Sequence, residues 1–441
     1  MNSRYIVIYI KWLLKRGIYL KKEFKELRDK LIYQRCSWSL LHKYNAHSNS
    51  YQPMLYFNLI GRVIYATKEI LALISKDKSF KKTIKLEGYE SVDFKKLYNE
   101  GSDEILYPKS PYIEIKKRED KIDDEYFTKL QRSFDLALKY DDDINDYNPT
   151  WQKAKNDFLD LILDSNKNID KERLINFRKD SIFEEIITDQ FSYVDTNSNY
   201  ISEYLKAIDL VLEYHRYAKV VKKEILANLS ESNAGNNSCI VYRGKRLSEK
   251  SIFYALCVND IITHTNFRGN KTIVCDIGAG YGGLIRELKY YLPKNSCYIL
   301  VDLPEVILFC SYYIKYNFPE AKIALLDDLL EHKGNFSYLV ENYDFIIISP
   351  QFLKYVDKES IDLIINTASM SFMSEKNLNE YIEFISRTLK KDAYFYSVNT
   401  PDGKKFGGLG TYKWKLKDEY LTIYQGFNNR FAYPQWLGKK V

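Results

Sequence analysis

Histidine, methionine and proline are scarce in this chain, at five, four and ten residues in 441, and the six cysteines form no paired motif. So few histidines exclude a histidine-rich metal centre. Cys36, Cys239, Cys257, Cys275, Cys297 and Cys310 lack both the CxxC pair and zinc spacing. In a chain of this length they read as reduced, buried thiols of a cytoplasmic protein. Long apolar runs are missing as well: nothing approaches the ~18 residues that a bilayer-spanning helix needs. The nearest candidate, Tyr5 to Leu14, is broken by Lys11 and followed by Lys15 and Arg16, where a secretory signal would carry small residues. Finally, most of the chain lacks an excess of either charge. Basic residues outnumber acidic ones 66 to 59, but residues 1–35 hold ten of the former and three of the latter, leaving 56 of each elsewhere. A neutral body has no broad positive face for duplex nucleic acid, so no nucleic-acid partner is expected.

What is present is apolar and aromatic. Hydrophobic residues make up 45% of the chain, enough to bury the cores of two or three domains. The 39 tyrosines fit a biased base composition as well as an aromatic binding surface. Apolar residues at helical spacing predict helices over 4–33, 56–74, 122–139, 151–164 and 199–229. The first of these sets Trp12, Leu13 and Leu14 among Lys11, Lys15, Arg16, Lys21 and Lys22. Basic amphipathic helices of this kind lie on anionic lipid, which predicts weak peripheral contact at the inner face of a membrane. Turn-forming residues at 141–150 and again at 231–238 mark a break and a linker.

Beyond residue 238 short apolar strands alternate with helices, the pattern of a parallel α/β sheet. The predicted strands are Thr272–Ile277, Cys297–Val301, Lys322–Leu326, Phe345–Ser349, Ile361–Asn366 and Ala393–Val398; helices are expected over 283–291, 304–317 and 375–390. Tyr412–Gln425 reads as a hairpin turning at Lys417-Asp418. Three regions follow: a helical, basic 1–140, a helical accessory region 141–238 ending in the linker, and a doubly wound, Rossmann-like 239–441.

One segment carries chemistry. Thr272 to Gly283 reads Thr-Ile-Val-Cys-Asp-Ile-Gly-Ala-Gly-Tyr-Gly-Gly, a strand entering a glycine turn and then a helix. Glycines there permit positive φ and close approach of a ligand to the backbone. Gly278, Gly280 and Gly283 satisfy the dinucleotide fingerprint GxGxxG. Asp276, Gly278, Gly280 and Gly282 satisfy the D-x-G-x-G-x-G of S-adenosylmethionine-dependent methyltransferases. Asp302, ending the next strand and followed by Leu303, is placed to take ribose hydroxyls in either case. Asp276 separates the two. Beside a pyrophosphate its charge repels; beside a methionine ammonium it attracts. The expected cofactor site is therefore Asp276, Gly278, Ala279, Gly280, Tyr281, Gly282, Asp302 and Leu303, with S-adenosyl-L-methionine as the ligand.

The second half resembles the bacterial sugar O-methyltransferases, a class I methyltransferase family of surface polysaccharide biosynthesis. The resemblance lies in Asp276 to Gly283, Asp302-Leu-Pro-Glu305, Asp362-Leu-Ile-Ile-Asn-Thr-Ala-Ser-Met370 and Phe395-Tyr-Ser-Val-Asn399, with Trp151 and Asn176-Phe-Arg178 upstream. It covers about 145–400 and implies methyl transfer to a sugar or glycan hydroxyl. Where that family carries Glu-Met after Ser-Met, this chain carries Phe372-Met373, and its Asn-Arg is Asn399-Thr400. A general base would assist, since a sugar hydroxyl is a weak acid. Asn366 and Ser369 stand at a carboxyl strand end, and His264, Glu375, Asp327 and Asp328 are further candidates. Asp327, after the third strand, is expected beside the adenine, a placement common in this fold. Asp327, Asp328 and Asp344 offer oxygen ligands to a divalent ion, but adjacent acids are commonly just solvated and no metal is assigned. The C-terminal aromatics Tyr412, Trp414, Tyr424, Phe431, Tyr433 and Trp436 are expected to pack a terminal sheet or to stack on sugar faces. Two other functions fit the motif: a nicotinamide-dependent oxidoreductase, and a non-catalytic assembly subunit with a methyltransferase fold.

Overall fold

The computed structural model describes residues 123–140, 149–178, 271–399 and the greater part of 214–267 and 414–441, together with Phe183 and the short strand β1 (Lys85–Leu86). The chain divides into two compact units, Met1–Asp77 with Phe427–Pro434, and Lys78–Gly426 with Gln435–Val441. The glycine motif and the strands predicted around it belong to the second. The expected helices over 4–33 and 56–74, and the membrane contact assigned to the first, lie outside the described residues.

The sheet around the glycine motif is built from its sequence runs. β4 (Ile273–Ile277), β5 (Cys297–Val301) and β7 (Phe345–Ile348) are almost continuously apolar and buried, as strands covered on both faces must be. β8 (Ile361–Thr367) and β9 (Leu389–Val398) extend the parallel array. β11 (Tyr433–Lys440) then runs antiparallel to β9, with Leu437 opposite Tyr396, and β10 (Tyr420–Asn428) forms the outer edge. At the other edge lies β6 (Ile323–Ala324), giving the order β10-β11-β9-β8-β4-β5-β7-β6. From β4 the chain crosses to β5 on one side and later to β8 on the other. That reversal opens a crevice at the carboxyl ends of these strands, the usual ligand site of open α/β sheets. The fold is therefore the Rossmann-like α/β sheet expected of 239–441.

Helices cover both faces. α1 (Asp124–Lys139) is capped by Asp123, whose side chain accepts from the Tyr126 amide at 2.7 Å. Its buried stripe of Tyr126, Leu130, Phe134 and Ala137 has the spacing of one helical face. α2 (Pro149–Ile162) and α3 (Lys171–Ile175) follow, and with α1 they pack on α7 (Pro304–Asn317), which begins with the expected proline. α4 (Lys223–Asn228) leads to a small antiparallel sheet of β1, β2 (Ile240–Tyr242) and β3 (Lys245–Leu247), which the sequence pattern did not suggest. α5 (Glu249–His264) opens with a Ser248–Ser251 capping box. α6 (Gly283–Leu288), α8 (Leu326–Glu331), α9 (Phe336–Asn342) and α10 (Glu375–Thr388) complete the set. Among the described residues no helix is long and apolar enough to cross a membrane.

Three expectations change. The turn-rich 231–237 does turn at Ala234-Gly235, but it is packed rather than exposed, with Glu231, Ser232, Ala234, Gly235 and Asn237 buried. The terminal hairpin lies further along than Tyr412–Gln425, because β11 must pair with β9 to cover Phe395 with Trp436 (ring centroids 5.8 Å). β6 is two residues long and does not pair with β5; the longer strand β7 takes that inner place. Of the six cysteines the five described ones are buried and free, while Cys36 lies outside the described residues.

Candidate functional site

The site grows from the end of β4. Its glycine turn is held in left-handed conformations at Gly278 (φ 72°), Gly280 (φ 56°) and Gly282 (φ 88°), a region that costs other residues about 1 kcal/mol or more. Two of these positions are also filled from outside. A Cβ on Gly278 would run into the Ser369 side chain, and one on Gly282 would meet Cys310 and Ile314 of α7. At Gly280 a Cβ would meet nothing within 4 Å. That is where the turn opens to a ligand.

The amides of the turn are mostly satisfied by the protein itself. Gly278 and Ala279 both donate to the Val301 carbonyl, at 2.8 and 3.1 Å, and Gly282 donates to Ala279 at 3.0 Å. Gly280 donates to Asp302 Oδ2 at 2.7 Å, while Leu303 donates to the other carboxylate oxygen at 2.8 Å. Asp302 is thus fixed beneath the open glycine. Burial pushes its carboxyl up to about 6, against the opposing effect of those two amides. Asp276 lies deeper, at 1% exposure. Burial, and then the neighbouring Asp302 charge, raise it well above the usual carboxylate range. Its Oδ1 has no hydrogen-bond partner. A carboxyl held so far up carries a proton, and its unpartnered oxygen is costly to bury. A cation placed against Asp276 and Asp302 would favour their ionised forms, whereas an anion would disfavour them further.

Asn366 and Ser369 stand directly beside this turn. Asn366, fully buried at the end of β8, donates to the Ile277 carbonyl at 2.7 Å; its Oδ1 accepts from Asn399 at 2.7 Å and from the Met370 amide at 3.2 Å. These bonds tie the carboxyl ends of β4, β8 and β9 together and leave Asn366 occupied as a clamp. Ser369 Oγ lies against Gly278 and 3.3 Å from the Ile277 carbonyl. Phe372 is buried nearby in the turn after Ser369, so no carboxylate stands at the position where the resembling family places one.

The other sequence candidates lie apart. His264 ends α5 and stacks on Tyr424 of β10 at 4.3 Å. Tyr254, which abuts Gly283, precedes it by ten residues, about 15 Å of helix. The expected role of His264 near the reacting methyl does not fit that distance. Glu375 is exposed in the first turn of α10. Asp327 does not reach an adenine site: it accepts from Ser133 Oγ at 2.6 Å and faces Arg132 at 3.5 Å. Asp328 pairs with Lys129 at 2.7 Å. Both acids secure α1 to α8, at the sheet edge that β7 separates from β5. Among the described residues no group of acids, histidines or cysteines is arranged to hold a metal.

Two features escaped sequence reasoning. Ser349 follows β7, the true neighbour of β5, where the Asp302 amide donates to Ile348 at 3.4 Å. It is fully buried and its Oγ has no hydrogen-bond partner, so Ser349 holds the place expected of Asp327. The signal was residue type: both runs hold four apolar residues, but Phe345-Ile-Ile-Ile348 is aromatic and β-branched whereas Ile323-Ala-Leu-Leu326 carries the helix formers Ala and Leu. The second feature is the buried pair Arg178–Glu231, at 3.3 Å, beneath the same turn.

No protein-family model matches this chain, and no curated protein does. Among solved structures it is similar to the geranyl diphosphate C-methyltransferase from Streptomyces coelicolor A3(2), solved with Mg2+, geranyl diphosphate and S-adenosyl-L-homocysteine. That likeness has 11% identity and a TM-score of 0.29 over 42% of this chain and 77% of that one. It is also similar to the mitomycin 7-O-methyltransferase, at 12% identity and a TM-score of 0.29 over 44% and 57% of the two chains. At such scores neither likeness bears on ligand or reaction.

Proposed function

We propose that this chain is an S-adenosylmethionine-dependent methyltransferase that methylates a hydroxyl of a sugar or glycan. The observation that carries the reading is the glycine turn. Its amides at Gly278, Ala279, Gly280 and Gly282 are used by the protein's own acceptors, and two carboxyl groups, the buried Asp276 and the half-buried Asp302, lie under it. A dinucleotide pyrophosphate needs free amides and a positive local field; this turn has four of its amides engaged and carries two acids instead. A cationic cofactor fits it. Asp302 would accept the ribose hydroxyls, and Asp276, with its unpartnered oxygen, would attract the positively charged methionine end. Gly280 would admit the ligand against the backbone, and Ser349 would contribute a hydroxyl on the far side of Asp302.

S-adenosylmethionine, when bound, would supply an electrophilic methyl group. The contribution of the chain is to orient and to exclude water. Asn366 fixes the ends of three strands so that the crevice keeps its shape, and Ser369 packs the turn from the acceptor side. Positioning of this kind supplies much of the rate in a transfer that needs two atoms about 3 Å apart. With Phe372 replacing the acid of the resembling family, the acceptor proton has no carboxylate at that position. The sugar acceptor rests on the resemblance at Asp362 to Met370.

Calorimetry of the full chain tests the cofactor. Binding of S-adenosylhomocysteine, without binding of NADH, is expected; the opposite preference would convert the reading to an oxidoreductase. Transfer of labelled methyl to extracted surface glycans tests the acceptor. Cofactor binding with no transfer to any glycan fraction would favour a non-catalytic role, for which buried Phe372 is the structural argument.

A further inference from the structure

Tyr281 lies between Gly280 and Gly282, so its ring anchors a turn whose flanking residues are both left-handed. That ring is enclosed. Tyr313 approaches at 4.9 Å between centroids, Phe183 at 5.5 Å and Tyr254 at 6.3 Å. Over one of its faces, 4.2 Å from the centroid, sits the guanidinium of Arg178, a residue about a hundred positions earlier in the chain. Arg178 is 1% exposed, deep enough for a cation–π contact to be at the strong end of its range.

Its partners come from the turn-rich 231–237. Glu231 is buried and reaches Arg178 at 3.3 Å; its other oxygen accepts from Ser248. Burial raises that carboxyl, but Arg178, Ser248 and Arg286 outweigh it and hold it below its ordinary range. The Arg178 amide donates to the Gly235 carbonyl at 2.9 Å, and Asn236 donates to Asn176 at 2.5 Å. Phe177 fills the space over Gly235, where a Cβ would clash with its ring. From the other side the same segment grips the helix after the glycine turn. Arg286 of α6 donates to the Ser230 carbonyl at 2.9 Å and to Asn317 at 3.1 Å, and Ser232 donates to that same Asn317 oxygen at 2.8 Å.

We propose, on the methyl-donor reading of the turn, that Arg178 is a positioning residue for the cofactor. Locked by Glu231, its guanidinium holds the Tyr281 ring and with it the backbone of Gly280 to Gly282. The helical segment that ends in Asn176-Phe177-Arg178 is thus a structural part of the cofactor site without touching the ligand. A planar, delocalised cation is needed, because the flat face lies against the ring while Nη1 at its edge reaches Glu231. Lysine offers only a point charge.

The test uses the full chain with S-adenosylhomocysteine as probe. Arg178→Lys keeps a charge beside Glu231; the paired R178M/E231Q removes both charges at similar volume, a change that folded proteins often tolerate. Each is expected to bind roughly tenfold more weakly, with Arg178→Lys keeping a thermal midpoint close to that of the unsubstituted chain. Hydrogen exchange supplies a readout that a purely structural role would not move. By linkage, the probe should slow exchange at 176–178 and 231–237 along with 278–284 in the unsubstituted chain. Unchanged affinity in Arg178→Lys, or protection confined to 278–284, would overturn the positioning role. Absence of binding by the unsubstituted chain would overturn the methyl-donor reading as well, so the two failures are told apart.

Discussion

Asp260 should make this protein progressively less stable as the pH rises from about 4 to about 7. It sits on α5 at 6% exposure, accepting from Tyr396 at 2.9 Å and from Gln435 at 2.7 Å. Burial pushes its carboxyl up to about 7 from an ordinary 3.8, against the opposing hydrogen bonds of Tyr396 and Tyr424. Between those values the folded chain holds a proton that the unfolded chain releases, so unfolding is progressively favoured as pH climbs from about 4 to about 7. A difference of about three units is worth roughly 4 kcal/mol, a ceiling for this one group. Asp260→Asn removes the titration while keeping an acceptor for the tyrosine and a similar shape. Urea unfolding of both proteins at pH 5 and pH 8 isolates the effect. Glu287, raised to about 7, and Asp302, raised to about 6, act in the same direction, but they are common to both proteins and cancel. The asparagine variant should gain on the unsubstituted protein by about 3 kcal/mol between the two pH values, since about two of those three units lie between them. An equal stability difference at pH 5 and pH 8 would refute the burial argument.

Asp302→Asn should weaken S-adenosylhomocysteine binding by more than tenfold in calorimetry while the chain stays folded, since an amide is a poorer acceptor for two ribose hydroxyls and for the Gly280 amide. The glycines of the turn should separate by mechanism. Gly278→Ala meets Ser369 as well as an unfavourable φ and should cost about 3 kcal/mol in urea unfolding. Gly280→Ala meets open space and should cost about 1 kcal/mol, yet it should abolish ligand binding because the new methyl fills the ligand's approach. Asp327→Asn should lower stability by about 1 kcal/mol through its Ser133 contact. Its ligand affinity should be unchanged, and a loss there would restore Asp327 to the cofactor site.

Much of the site was legible because it is local. The glycine turn, its acid two residues upstream and the acid ending the next strand all lie within about thirty residues, and strand–turn–helix geometry brings them together wherever the sheet sits. Pro304 marked the start of α7, and Ser374 capped α10. Long-range pairing was not legible. Two short apolar runs, Lys322–Leu326 and Phe345–Ser349, both read as strands, and nothing local says which lies beside β5. Packing decides it: Phe345-Ile-Ile-Ile348 favours an extended strand covered on both faces, whereas Ala324-Leu-Leu326 turns into α8 after two strand residues. That choice moved Asp327 away from the crevice and put Ser349 there.

The amino-acid sequence by itself determined the α/β class of the second half, the glycine turn and the sign of the charge beside it, because periodicity, φ requirements and charge are properties of short segments. Only the tertiary structure decided which groups surround that turn. Composition marked 231–238 as a linker, since Asn, Ser and Gly favour turns; packing instead buried much of its described part, 231–237, as the seat of Glu231. Arg178 was marked only by the resemblance at Asn176 to Arg178, which assigns it no role. Its role emerges when a charge, a carboxylate and an aromatic face from three distant segments meet in one buried space, where Glu231 and the Tyr281 ring hold the guanidinium together.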